Sequence, residues 1–180
     1  MRSLILLTLI VLIQQSLLAQ KENNQPSLRN FIQEIVNAAA DDFAEIRGSQ
    51  IGGEPGTIQF LSTKEIPGSI ENKIVGYSGL KKTDWVWECK MKSVEKIEDL
   101  QSHYKKIYKE LSKGSIKSNA KTYEPVSDYE HPSEMQRIWT NQFKVVTTKI
   151  MIDLVAEEQN YEWVIYLRVY NLENLAGFSN

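Results

Sequence analysis

The sequence predicts an α+β protein: a two-layer sandwich whose antiparallel sheet of five to six strands carries two amphipathic helices on one face. Three observations lead there. Apolar residues recur at three- and four-residue spacing in two separate stretches, and period-2 alternation marks the segments between and after them. The resulting order, helix, three strands, helix, two or three strands, never alternates one strand with one helix, which argues against a doubly wound parallel sheet. Asp84-Trp85-Val86 is echoed by Glu162-Trp163-Val164, and the helix start at Ser27 by one at Ser93, so a duplicated helix-plus-strands unit is a further expectation.

Met1-Arg2-Ser3 gives a short positive start, Leu4 to Ile13 is apolar except for Thr8, and Gln14 to Ala19 leads to a small residue. That order is the order of a secretory signal peptide, expected to be removed after Ala19. A spanning helix needs roughly 20 apolar residues, and Gln14-Gln15 ends this run well short of that. Residues 1–19 are thus expected as signal peptide, 20–26 as a flexible polar leader, and 27–180 as a single α+β domain.

Within that domain, Ser27 stands as N-cap of a helix through Leu28, Phe31, Ile32, Ile35, Val36, Ala39, Phe43 and Ile46, stopped at Gly48. Gly52-Gly53-Glu54-Pro55-Gly56 breaks the chain. Thr57 to Ser62 reads as a strand, Pro67-Gly68 as a turn, and Ile70 to Tyr77 as a strand weakened by Gly76. Trp85, Trp87, Cys89 and Met91 alternate with Val86, Glu88 and Lys90, which places Cys89 on a buried face. Ser93 is read as cap of a second helix with the stripe Val94, Ile97, Leu100, Tyr104, Ile107, Tyr108 and Leu111, ending before Gly114. Residues 115–133 read as a long polar connection. From Met135 to Tyr170 the chain is strand-rich, with a turn at Glu157-Glu158-Gln159-Asn160; Ile150, Ile152 and Leu154 should face inward with Trp163, Ile165, Leu167 and Val169.

The composition excludes several functions. With 21 Lys+Arg against 23 Asp+Glu, the overall charge lacks the basic excess of a nucleic-acid binder. One Cys and two His are too few for a disulfide framework or a Cys/His zinc site. No Gly-x-Ser-x-Gly elbow, His-Glu-x-x-His helix, Cys-x-x-Cys pair or phosphate-binding glycine loop is present, so no cofactor, metal or catalytic residue is assigned.

What remains is suited to recognition. Tyr123, Tyr129 and His131 stand among Pro, Ser, Asp and Lys in the long connection, and are read as ligand-binding residues on a surface loop. Replacing the two tyrosines should then leave stability almost unchanged. Asp41, Asp42 and Glu45 form the densest carboxylate cluster, with Asp41 and Glu45 one helical turn apart, and could divide acid and base work. Trp85 and Trp87 are read as core residues beneath the helices in preference to a binding groove.

Asp42-Phe43-Ala44-Glu45-Ile46-Arg47-Gly48, Ile66-Pro67-Gly68-Ser69 and Tyr104-Lys105-Lys106-Ile107-Tyr108 together resemble a group of small secreted bacterial proteins of uncharacterised function. The resemblance covers residues 28–111 and implies export and no known enzyme. The function expected is an exported, non-enzymatic binding or interaction domain of unknown ligand, acting through the sheet face or the long loop. The alternative is an envelope hydrolase using Asp41, Asp42 and Glu45 with His131. Expected partners are a protein or small molecule in the cell envelope or outside, with no nucleic acid and no stable membrane insertion after cleavage. The expected location is secreted or periplasmic.

Overall fold

The computed structural model describes residues 27–79, 82–113 and 122–173. The expected signal peptide and leader, the helix stop at Gly114 and residues 115–121 of the long connection lie outside the described residues. Helix α1 (Leu28–Ala38) precedes strands β1 (Arg47–Gly52), β2 (Thr57–Ser62), β3 (Glu71–Ser78) and β4 (Thr83–Val94). Helix α2 (Ile97–Ser112) precedes β5 (Tyr123–Pro125), β6 (Ile138–Val145), β7 (Ile150–Gln159) and β8 (Glu162–Asn171). All pairings are antiparallel, in the order β1-β2-β3-β4-β8-β7-β6-β5. The fold is therefore α+β as expected, with eight strands where five to six were expected. Each half is one helix followed by a four-strand meander, and the two meanders join through their last strands.

The helices share one face of the sheet. Ile32, Ile35 and Val36 of α1, and Ile97, Leu100, Tyr104 and Leu111 of α2, belong to one core with Ile74, Trp87, Cys89, Phe143, Ile152, Leu154, Ile165, Leu167 and Val169. The strand members of that core are the in-phase residues of each alternation, and the registers Leu154↔Leu167 and Ile152↔Val169 bring them side by side. Trp87 is fully buried, with its indole donating to Ser62 Oγ at 3.1 Å. Trp85 and Trp163 each open the fourth strand of their half and face the same core.

Several local expectations need correction. The first helix stops at Ala38, not at Gly48. A 3-10 turn (Ala39–Asp41) follows, then Asp42 and Phe43 with φ of 49° and 62°, then a second 3-10 turn (Ala44–Ile46). Phe43 N–H donates to the Ala38 carbonyl at 2.8 Å, a Schellman-type closure with Asp42 where glycine is usual. This bend buries Phe43 and Ile46, which a continuing helix would not aim at the same core. Gly48 lies within β1, where a Cβ would stand 3.0 Å from the Leu61 carbonyl oxygen. Ser93 caps no helix. It belongs to β4, which stays paired with β8 as far as Val94↔Trp163, and its hydroxyl donates to Glu162 Oε2. Glu157 and Glu158 lie in β7, and the reversal falls two residues later at Asn160-Tyr161, both left-handed as a two-residue type I′ hairpin requires. Pro67-Gly68 is a turn as expected, with Ser69 N–H donating to the Ile66 carbonyl and Gly68 at φ 79°.

Candidate functional site

The segment expected to present ligand-binding residues is divided: Tyr123 and Pro132 are buried, Tyr129 and Ser133 half-buried, and the other described residues exposed. Tyr123 is only 2% exposed: it starts β5, packs edge-on against Phe143 at 6.3 Å, and burial pushes its hydroxyl pKa up despite the neighbouring Arg29. This corrects the reading of Tyr123 as a surface-loop residue unable to contribute to a core. Pairing of Tyr123 with Val145 supplies the sheet contacts that composition alone did not suggest. Tyr129 is half-buried, 4.6 Å from the Tyr108 ring, and its hydroxyl shares a hydrogen bond of 3.1 Å with Nδ1 of the exposed His131. The backbone around them is anchored. Asn141 exchanges two hydrogen bonds of 3.0 Å with Glu130 and donates at 2.8 Å to Tyr104 Oη, which in turn donates to the Leu154 carbonyl. Gln101 Nε2 donates to the Pro132 carbonyl at 2.8 Å.

Asp41 and Glu45 are exposed and sit in separate 3-10 turns divided by the left-handed pair, so they are not one helical turn apart. The Arg47 guanidinium donates to the Asp42 carbonyl oxygen and lies 3.5 Å over the Trp85 ring. Among the described residues no group of three or more His, Cys, Asp or Glu side chains is placed to hold a metal.

A different arrangement occupies the sheet face turned away from the helices. In register across the four central strands stand Lys73 of β3, Glu88 of β4, Arg168 of β8 and Asp153 of β7, followed by Gln142 of β6. Charge alternates along this row. Glu88 accepts from Lys73 Nζ at 3.2 Å and from Arg168 Nε at 2.7 Å, and Arg168 Nη2 reaches Glu157 at 3.5 Å. Burial, the largest single influence, would lower both cations, but Glu88 acting with Glu71 on Lys73 and with Glu157 on Arg168 leaves their pKa values raised. Asp153 accepts from Tyr170 Oη at 3.0 Å and Gln142 Nε2 at 3.1 Å; burial still raises its carboxyl pKa above the ordinary value.

Apolar strips flank the row. On one side Val86, Met151 and Tyr170 pack together with Tyr77; on the other Val155, Val164 and Tyr166 do so, and Arg168 lies 5.1 Å from the Tyr166 ring centroid. Half-buried ion pairs of this kind roughly break even against their desolvation, so the row fixes geometry more than it adds stability. It is chemically mixed: two cations held by one carboxylate, a carboxyl group with a raised pKa, the half-buried Tyr77 and the buried Tyr166 and Tyr170.

The sequence reading missed this site by following only the in-phase residues of each alternation. A signal was present. β8 reads Trp-Val-Ile-Tyr-Leu-Arg-Val-Tyr, apolar on both phases with one Arg between them, the pattern of a central strand buried on two faces. No family model, curated protein or solved structure matches this chain.

Proposed function

We propose that this chain is an exported, non-enzymatic binding domain that takes its partner on the sheet face turned away from the helices. One observation carries the reading. Both helices pack on the opposite face, while this one sets the half-buried Tyr77 beside the fixed Lys73–Glu88–Arg168 row, with Tyr166 and Tyr170 buried around it. Tyrosines beside held charges provide contact area at little entropic cost, as binding surfaces require. The N-terminal segment and the resemblance to small secreted bacterial proteins support export to the periplasm or the outside. The hydrolase reading has less support, because Asp41 and Glu45 lie in separate turns and His131 shares its hydrogen bond with Tyr129. The matching helix-plus-meander order of the two halves, with Trp85 and Trp163 opening their last strands, supports a duplicated unit.

The test is affinity capture from the host envelope fraction, with hydroxyl-radical footprinting of the captured complex. Protection of Tyr77, with capture lost in Lys73→Ala/Tyr77→Ala and kept in Tyr129→Ser/His131→Ala, is the expected outcome. The reverse pattern moves the binding surface to the 123–131 segment and refutes the sheet-face assignment.

A further inference from the structure

A second surface is independent of the sheet-face reading. The outer side of α2 carries Lys105, Lys106, Lys109 and Lys113, which with Ser102 and Glu110 line a shallow cleft of about 420 Å³. All four lysines are exposed. Lys113 pairs with Glu110 at 2.8 Å, whereas Lys105, Lys106 and Lys109 form no ion pair among the described residues.

This crowding opposes helix stability. Lys105 and Lys109, and again Lys109 and Lys113, are like charges one turn apart, a spacing that destabilises a helix. The helix dipole accounts for cations in the last turn only, which here means Lys109, and Lys105 and Lys106 lie before it. In a chain of net charge −2, this side of one helix is a local concentration of unpaired, exposed cations. We propose that this side of α2 docks on an anionic phospholipid surface.

The shape selects that partner over other polyanions. From Lys105 to Lys113 the row runs about 12 Å along a straight helix, matched to an array of headgroups in a plane. Bases of a single-stranded nucleic acid would need an exposed aromatic platform among the lysines. The nearest aromatic, Tyr108, is instead turned inward against Tyr129 and Phe143. Docking of this kind is peripheral, reversible and sensitive to salt, since the Debye length is only about 10 Å at 0.1 M.

The test is vesicle flotation of the full protein as its host exports it, with vesicles of phosphatidylglycerol and phosphatidylcholine in equal parts against phosphatidylcholine alone. Each lysine near an anionic surface contributes roughly fivefold to partitioning, so Lys105→Gln/Lys106→Gln/Lys109→Gln should bind the anionic vesicles about 100-fold more weakly. Glutamine keeps the helix propensity, and an unchanged circular-dichroism spectrum with an unchanged melting temperature verifies that the variant folds. Lys92→Gln/Lys144→Gln/Lys149→Gln, an equal loss of charge elsewhere, should lose much less. Equal binding to both vesicle types, equal loss in the two triple variants, or binding to polyglutamate or an oligonucleotide but not to anionic vesicles would each overturn the proposal.

Discussion

Gly76 offers the sharpest test of the packing. It stands opposite Trp85 in the β3–β4 register, and a Cβ there would lie 2.5 Å from Trp85 Cζ3 and 2.8 Å from both Trp85 Cη2 and Thr83 Cγ2. The indole cannot simply move aside, because Arg47 lies 3.5 Å over it and Phe60 is 6.0 Å away. Overpacking of this kind costs about 1–3 kcal/mol, and displacing Arg47 adds about 0.5–1 kcal/mol. Restricting the unfolded chain by Gly→Ala returns about 0.4–1 kcal/mol. Gly76→Ala should therefore lose about 1–3 kcal/mol, or roughly 2–10 °C in melting temperature for a domain of this size. Urea unfolding followed by far-UV circular dichroism measures the loss without depending on Trp85 fluorescence. In a Trp85→Leu/Thr83→Ser background the same change should cost under about 0.5 kcal/mol, because the clashing indole atoms and the Thr83 methyl are gone. An equal cost in both backgrounds would refute the argument that the missing Cβ exists to admit the indole.

Three other predictions concern buried groups. Burial pushes the Cys89 thiol up to about 12 from an ordinary 9.0, so the unfolded chain loses its proton first. Stability should hold below pH 9 and fall as pH rises toward 12, by up to about 1.4 kcal/mol per pH unit, and Cys89→Ala should flatten the fall between pH 9 and 10 in urea titrations. Asp153, raised by burial, works in the other range. Its charge costs stability above the ordinary carboxyl value of 3.8, so Asp153→Asn should raise the urea midpoint at pH 7 more than at pH 4, and the opposite order would show that the Tyr170 and Gln142 hydrogen bonds outweigh burial. Tyr123→Ser should lower stability by about 2–4 kcal/mol and Tyr129→Ser by less, since only the first is fully in the core; equal small losses would restore the loop reading.

The legible parts of the fold are those where one face of an element is buried and the other is not. β2 was bounded correctly, the alternation through Trp87 and Cys89 identified the core face of β4, and the inward set of the β7–β8 hairpin was read residue by residue. The two missed strands, β1 and β5, are the sheet edges. An edge strand has one neighbour, and β1 is mostly exposed along its length, so it carries no periodic signal. Where Tyr161 occupies a left-handed turn position normally given to glycine, turn chemistry pointed to the wrong residues. The candidate site was half legible. Glu88 and Arg168 are conspicuous charges in apolar strands, but their meeting depends on a register between segments 80 residues apart, which no local pattern encodes.

That register also explains why the site sits where it does. Neither four-strand half can stand alone without exposing the edge of its last strand: β4, at 12 residues, would present an unpaired row of backbone donors and acceptors, as would the 10 residues of β8. Pairing β4 with β8 removes both edges at once and makes the seam between the halves the centre of the sheet. Glu88 and Arg168 face each other directly across that seam, and Lys73 and Asp153 extend the row by one strand on either side. A partner seated on the row, as proposed above, would contact both halves, and its affinity would depend on the β4–β8 register being held. The cross-strand pair is suited to holding it, because a slip of one residue would drive the slipped strand's charge into the apolar face beneath the helices and leave the other unpaired, a far larger penalty than the loss of the pair itself.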